Sequence, residues 1–226
     1  MGADSIFCWD HFFPLSGEPD GKHYEAIALL GAMAEVTERA QIGALVFCNG
    51  YRNPELLAKA HCTIDHASGG RAILGIGAGW FERDYDEYGY EFGTAPDRVR
   101  ELRHALPRIK DRIAKLNPQP VGRLPLLIGG SGPKVTLKLV AQYADMWHSF
   151  GDAERFESKN EILLEHCQDV GRDPSEIERT WGLDRDLLGN ADALVAAGVQ
   201  HLIVGIGGDG SGYDLGALRD LIAWRG

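Results

Sequence analysis

The sequence contains little cysteine and has no long apolar run. Its four cysteines, Cys8, Cys48, Cys62 and Cys167, are widely spaced, and no two of them form a C-x-x-C pair. This spacing excludes a thiolate zinc ribbon and a disulfide scaffold, and it predicts reduced thiols in a cytoplasmic protein. No apolar segment approaches the length of a membrane span and no signal-peptide pattern opens the chain, so we expect no membrane partner.

Positive charge is also scarce. The 226 residues include 23 lysines and arginines against 33 aspartates and glutamates, which gives a formal net charge of −10. The basic residues are scattered, so we expect no nucleic-acid partner. No group of histidines and carboxylates has the spacing of a metal site, and neither a Walker A loop nor a nucleophile elbow is present. We therefore expect no metal.

Short apolar runs alternate with helical patterns along the whole chain, which predicts parallel β-α units in an α/β fold. Special residues follow nearly every run instead of clustering at one crevice. That distribution favours a (β/α)8 TIM barrel over a doubly wound sheet. A barrel needs eight strands, so either one unit is missing or two have been merged. The seven runs lie at 4–9, 41–48, 71–77, 124–129, 144–149, 177–183 and 200–206.

A glycine-rich segment follows the fourth run, with the sequence LPLLIGGSGPK over residues 124–134. Pro133 suits the first turn of a helix, so the pattern predicts a helix that begins at Lys134. The free N–H groups of such a turn, with Lys134 beside them, suit a phosphate. A plain connection between a strand and a helix explains the same pattern, and both interpretations stay open here.

Two further segments carry candidate chemistry. Asp10-His11 follows the first run, where such a pair can hydrogen-bond a cofactor ring and shuttle a proton, or else form an ordinary loop. The sequence GIGAG at 75–79 lacks the spacing of a dinucleotide fingerprint. We interpret it as a close backbone approach to a flat ligand. Trp80 and Phe81 either form an apolar wall for that ligand or pack as ordinary aromatic residues under the loop.

An acidic run follows this wall and contains Glu82, Asp84, Asp86 and Glu87. Paired carboxylates can perform acid and base chemistry. Arg83 and Tyr85 interrupt the run, so we interpret it as a solvated helix face. His61, His66, His104 and His166 fall within helical patterns, and we treat all four as structural.

Several segments together carry a resemblance that none carries alone. The chain resembles the bacterial-luciferase-like superfamily, and within it the oxidoreductases that depend on the deazaflavin coenzyme F420. The resemblance spans nearly the whole chain in the family's order. The matching segments are ADSIFCWDHFFPL at 3–15, YRNPELLAK at 51–59, SGGR at 68–71, LGIGAGWFE at 74–82, IGGSGPK at 128–134 and GRDPSEI at 171–177.

This resemblance implies a luciferase-like TIM barrel that binds coenzyme F420, with FMN as the alternative cofactor. It implies His11 and Asp10 as the catalytic residues. It also implies a bulge with a non-proline cis peptide within 43–46, which we place at Ala44–Leu45. The implied cofactor-binding residues are Asp10, Ala44, Leu45, Gly77, Ala78, Gly129, Gly130, Ser131 and Lys134.

The chain departs from the family at three places. Ala78 and Phe81 replace an acidic residue and an asparagine that some relatives use for sugar phosphates, so we expect no sugar-phosphate dehydrogenase. Residues 3–9 align with the family's second strand. We therefore expect residues 1–226 to form one barrel domain that lacks its first β-α unit, through truncation or with a neighbouring subunit covering the gap in a homodimer.

The expected function is a cytoplasmic oxidoreductase that transfers hydride between F420 and a small organic substrate. One alternative is an FMN-dependent luciferase-like monooxygenase on the same barrel. The other is a degenerate barrel without catalysis that acts as a binding or structural protein. The sequence does not identify the substrate.

Overall fold

The computed structural model describes residues 2–183, 187–208 and 212–226, which fall into two compact units. The N-terminal unit is Asp4–Gly129, and the C-terminal unit is Gly130–Gly226 together with Met1–Ala3. We describe each by itself, and the single domain over 1–226 stays a prediction. Within the described residues, every helix is too short or too polar to cross a membrane.

The N-terminal unit is a parallel sheet in the order β1-β2-β4-β5, with β3 paired to β4. Helices connect the parallel strands, as the alternating pattern predicts. Its strands are β1 (Ser5–Cys8), β2 (Gln41–Ala44), β3 (Phe47–Cys48), β4 (Ala72–Gly77) and β5 (Leu126–Gly129). Its helices are α1 (Ala26–Val36), a 3-10 turn (Asn49–Tyr51), α2 (Pro54–Ala67), α3 (Glu82–Tyr88) and α4 (Ala95–Ala114).

The run 41–48 forms two strand segments instead of one. The break is a cis peptide bond between Leu45 and Val46. The bulge therefore falls where the resemblance implies it, but our placement at Ala44–Leu45 is wrong by one bond. The N–H of Leu45 still donates to the carbonyl of Cys8 at 2.9 Å, so the chain stays in register with β1 through Leu45.

Glycines in this sheet are required by neighbouring protein atoms. A Cβ on Gly75 would lie 2.1 Å from the carbonyl oxygen of Ala44, and one on Gly77 would lie 2.7 Å from Cγ2 of Val46. The Val46 side chain also lies 3.0 Å from the Cβ position of Gly129. Our interpretation of Gly75 as a close approach to a ligand is therefore wrong, because the approach is to the bulged strand.

The SGGR segment also has a structural role. The Arg71 guanidinium donates to the carbonyls of Ala34, Thr37 and Ala40 at 2.7–3.0 Å. These carbonyls belong to the last turn of α1 and the loop after it, where no helical partner is available. Arg71 therefore fixes the connection from α1 to β2.

The C-terminal unit contains a parallel sheet in the order β6-β7-β8. Trp147, Phe156 and Trp181 are fully buried in its core. Trp181 packs edge to face against Trp147 and Phe156, with ring centroids at 5.4 and 5.1 Å, and Trp147 stacks on Phe156 at 6.1 Å. Its strands are β6 (Met146–Phe150), β7 (Glu178–Leu183) and β8 (His201–Val204). Its helices are α5 (Thr136–Tyr143), α6 (Ala153–Val170), a 3-10 turn (Pro174–Glu176), α7 (Leu187–Ala197) and α8 (Gly216–Arg225).

We predict that Gly75→Ala lowers the free energy of unfolding by about 3 kcal/mol, because the new methyl group meets a backbone carbonyl that cannot move aside. Gly31→Ala is the matched control. Gly31 lies in α1 with open space at its Cβ, so alanine there raises stability by up to about 1 kcal/mol. Urea unfolding measures both, and equal effects of the two changes would contradict the packing at Gly75.

His61 predicts a pH dependence of stability. It is fully buried, its Nε2 lies 2.7 Å from the carbonyl oxygen of Ile73, and burial lowers its pKa to about 4. The unfolded chain takes up the proton near pH 6.5 and the folded chain only near pH 4. Stability is therefore lost as pH falls through this window, by about 3 kcal/mol at most.

His61→Gln keeps a donor near Ile73 but cannot titrate, so its unfolding free energy should fall less steeply between these pH values. His104→Gln, at an exposed position on α4, should leave the slope of the natural protein unchanged. Parallel slopes for the natural protein and His61→Gln would show that His61 is not the group responsible.

Candidate functional site

Asp10 lies just after β1 and is almost fully buried. Its two carboxylate oxygens accept hydrogen bonds from the Arg52 guanidinium at 2.6 and 2.9 Å. Oδ2 also accepts from the backbone N–H of Cys48 at 2.8 Å. Burial raises the pKa of Asp10 and Arg52 opposes that shift. Burial lowers the pKa of Arg52, but Asp10 outweighs this and the net direction is upward. Asp10 therefore anchors the end of β1 to the end of β3.

His11 lies beside Asp10 but contacts a different carboxylate. Its Nδ1 lies 2.6 Å from Oδ2 of Asp84, and its side chain is 14% exposed whereas that of Asp84 is fully buried. Asp84 also accepts the backbone N–H of Phe12 at 3.1 Å and the Tyr51 hydroxyl at 2.9 Å. Burial raises the pKa of Tyr51, so the phenol keeps its proton.

Aromatic rings surround His11. Trp80 and Phe81 contact the imidazole edge to face, with ring centroids at 5.7 and 5.4 Å. Trp80 remains largely exposed. This arrangement matches the apolar wall that the sequence indicates, and it fixes the plane of the His11 ring.

Cys48 has a packing role. Its Sγ lies 2.9 Å from the Tyr85 hydroxyl, and the side chain is buried. Burial raises the pKa of the Cys48 thiol, which disfavours the reactive thiolate. The interpretation of Cys48 as a small buried side chain agrees with this geometry.

Four of the predicted cofactor residues lie around the bulge. Ala44 ends β2 and Leu45 follows it, while Gly77 ends β4 and Gly129 ends β5. The side chain of Val46 lies over the two glycines. Ala78 follows Gly77 and is partly exposed. The structure therefore brings these residues together at the carboxyl ends of parallel strands, the edge at which α/β folds bind ligands.

The remaining predicted residues lie in the loop that begins the C-terminal unit. The loop is tied to β6, because Trp147 Nε1 donates to the carbonyl of Gly130 at 2.8 Å. Gly130 has a φ of 115°, and a Cβ on Gly132 would lie 2.8 Å from Oγ1 of Thr136. Both positions therefore require glycine. Ser131 is partly exposed, and Lys134 is exposed.

The helix after this loop begins at Thr136, so our prediction of Lys134 as its first residue is wrong by two positions. The N–H of Leu137 reaches back to the carbonyl of Gly132 at 3.0 Å and forms a wide turn before regular helix starts. In the described part of the chain, the N–H groups of Gly132, Val135 and Thr136 donate to no backbone carbonyl. They are available to an anion.

Comparison with known proteins places this geometry in a family. Residues 1–184 match the family described as luciferase-like monooxygenase. The chain belongs to this family. It is 33% identical over 162 residues to an F420-dependent glucose-6-phosphate dehydrogenase of Amycolatopsis mediterranei. The aligned segment covers 64% of this chain and 46% of the relative. The chain spans about half the length of the curated relatives it matches first.

Solved structures of luciferase-like proteins share the fold. An F420-dependent secondary alcohol dehydrogenase with an F420-acetone adduct has a TM-score of 0.72 at 18% identity, covering 98% of this chain and 81% of the other. The F420-dependent tetrahydromethanopterin reductase of Methanopyrus kandleri has a TM-score of 0.61 at 20% identity, covering 71% and 55%. The chain therefore has the luciferase-like form of the TIM-barrel fold, as the sequence predicts.

Asp84 is the site residue that the sequence analysis missed. The acidic run does form a helix, α3, whose Glu82, Asp86 and Glu87 are exposed. The interpretation as a solvated face is wrong for Asp84, because a helical repeat of 3.6 residues places it with Phe81 and Tyr85 on the inner face. A carboxylate on the same face as these aromatic residues was the signal that could have identified it.

We predict strong coupling between Asp10 and Arg52. Asp10→Asn or Arg52→Met alone should lower the free energy of unfolding by about 3 kcal/mol, because each deprives a largely buried charge of its main partner. The double variant removes both charges and should be more stable than the sum of the single effects by about 2 kcal/mol. Denaturant unfolding of the four proteins measures this, and simple additivity would contradict the pairing.

Proposed function

We propose that this protein is an oxidoreductase that transfers hydride between coenzyme F420 and a small organic substrate. The observation that carries the proposal is the Asp10-His11 pair after β1, with His11 held by Asp84 and bordered by Trp80 and Phe81. The curated relative described above is an F420-dependent enzyme, which supports this choice of cofactor. Because the chain spans about half the length of the curated relatives it matches first, we propose this activity for the whole protein.

The residues present fit the cofactor. The segment from Gly132 to Thr136 offers the N–H groups of Gly132, Val135 and Thr136 together with Lys134, which suits a phosphate group. Ala44, Leu45, Gly77 and Ala78 would contact the ring system, with Asp10 holding the ends of β1 and β3 in place. Bound F420 would supply hydride chemistry. His11 would exchange a proton with the substrate.

We propose further that the substrate is uncharged and is not a sugar phosphate. Ala78 offers no carboxylate to sugar hydroxyls, and Trp80 and Phe81 present apolar surface beside His11. Two neighbouring arginines are already paired with carboxylates, Arg52 with Asp10 and Arg83 with Asp20 and Glu87.

An FMN-dependent monooxygenase is the second candidate, and the description of the family itself favours it. The Asp10-His11 pair argues against it, since the resemblance associates this pair with deazaflavin enzymes.

We also propose that the protein is a cytoplasmic homodimer. The four free cysteines of the described chain are consistent with the cytoplasmic location. Sedimentation velocity would test the dimer.

We predict that the purified protein binds F420 at least about tenfold more tightly than FMN, a difference of about 1.4 kcal/mol. Lys134→Ala should weaken F420 binding by about five- to tenfold, because it removes the cation beside the phosphate. Lys138→Ala is the matched control. It removes the same charge one helical turn later on α5 and should change binding less than twofold.

Quenching of F420 and FMN fluorescence on titration with each protein gives these affinities. Tight FMN binding with weak F420 binding would favour the monooxygenase. A folded protein that binds neither cofactor would contradict both enzymatic functions and leave the binding or structural role.

A further inference from the structure

We propose that Asp84 is a positioning residue that holds His11 in one tautomer, with the proton on Nδ1, and thereby leaves Nε2 as the ring nitrogen that exchanges a proton with substrate. The tautomer follows from the geometry of the N-terminal unit alone. Its catalytic consequence rests on the proposed function.

The surroundings of Asp84 decide where the proton lies. Oδ1 accepts from the backbone N–H of Phe12, and Oδ2 accepts from the hydroxyl of Tyr51. Only the contact with His11, at 2.6 Å, could hold the proton on either partner. Because both carboxylate oxygens already accept from other donors, Asp84 is also the acceptor in this contact and the proton belongs to Nδ1. Asp84 is then an acceptor in all three hydrogen bonds.

With Nδ1 protonated, the neutral His11 ring has its lone pair on Nε2. Among the described residues, Nε2 has no hydrogen-bond partner, whereas Nδ1 is fully occupied by Asp84. The edge contacts from Trp80 and Phe81 restrict rotation of the ring, so the two nitrogens cannot easily exchange places. One nitrogen is therefore committed to structure and the other is available for chemistry.

The chemistry is a balanced proton transfer. Bound F420 would take the hydride from the carbon of an alcohol substrate, and Nε2 would accept the proton that the hydroxyl loses. In the reverse direction Nε2 returns that proton to the carbonyl oxygen. The imidazolium that forms is stabilised by Asp84, whose negative charge is 2.6 Å away and shielded from water.

Tyr51 completes the arrangement. Its hydroxyl bonds the same Oδ2 that accepts from His11, so it fixes the direction of the carboxylate without contacting the imidazole. Phe12 and Tyr90 pack against the Tyr51 ring at centroid distances of 4.7 and 5.3 Å. The loop after β1, the 3-10 turn and α3 therefore position one ring together.

The experiment reads the tautomer directly in the cofactor-free protein. Long-range ¹⁵N–¹H correlation spectra, recorded at alkaline pH where histidine is neutral, distinguish a protonated ring nitrogen from a bare one. His11→Gln assigns the His11 signals. We expect a protonated Nδ1 and a bare Nε2. The opposite tautomer in the natural protein would overturn the proposal, whether or not any variant folds.

Asp84→Asn then tests the cause. The asparagine amide can donate to Nδ1, which would move the proton to Nε2. We expect a reversed tautomer and, with F420 and a turned-over substrate, a loss of about 100-fold or more in kcat with KM changed less than about threefold. Tyr51→Phe should retain the tautomer. Asp86→Asn, an exposed carboxylate on the same helix, should change neither tautomer nor kcat.

The positioning of His11 by Asp84 and the proposed F420-dependent function can be contradicted separately. An unchanged tautomer in a folded Asp84→Asn would contradict the positioning role. The predicted tautomer in a protein that does not bind F420 would contradict the proposed function and leave the positioning of His11 intact.

Discussion

The fully buried carboxylate of Asp84 is the constraint on which the arrangement of this site depends. A charge removed from water must be matched by donors, and the cost of leaving it unmatched is several kcal/mol. The donors come from separate parts of the chain, the loop after β1 for His11 and Phe12 and the 3-10 turn for Tyr51. A shift of any one of them would leave the carboxylate short of a partner.

Asp10 imposes a similar constraint on the neighbouring strand ends. It lies next to His11 in sequence, but its oxygens are taken by Arg52 and the amide of Cys48. The adjacent residues therefore have different tasks. Asp10 joins β1 to β3, and His11 retains a ring nitrogen for chemistry. Proton handling falls to His11 in the proposed mechanism, while the direct contact of Asp10 with a cofactor ring stays a prediction.

Steric contacts add a second kind of constraint around the bulge. A Cβ at Gly75 would meet the carbonyl of Ala44 in the backbone of the bulged strand, whereas one at Gly77 or Gly129 would meet the side chain of Val46. The sequence shows the glycines but not their neighbours. For that reason the sequence pattern predicted a close approach to the backbone at Gly75, but not that the approaching group is the protein's own strand instead of a ligand.

Alternation of apolar runs and helical patterns was sufficient to predict each of the strands, because that signal is local. The position of the cis bond depends on the register between Leu45 and Cys8, and the burial of Asp84 depends on packing of α3 against two distant loops. Both are tertiary effects that no local pattern contains. Arg71 belongs to the SGGR segment, which helped to identify the family. In the structure its role is to bind the carbonyls at the end of α1.

The role of His11 in the reaction centre is tested most directly by following the ¹⁵N signals of the natural protein's histidines while oxidised F420 is added. We expect the Nε2 signal of His11 to shift on binding and the signals of the fully buried His61 to stay unchanged. F420 that binds without any change at His11, or a shift of equal size at His61, would contradict the assignment of His11 to the reaction centre.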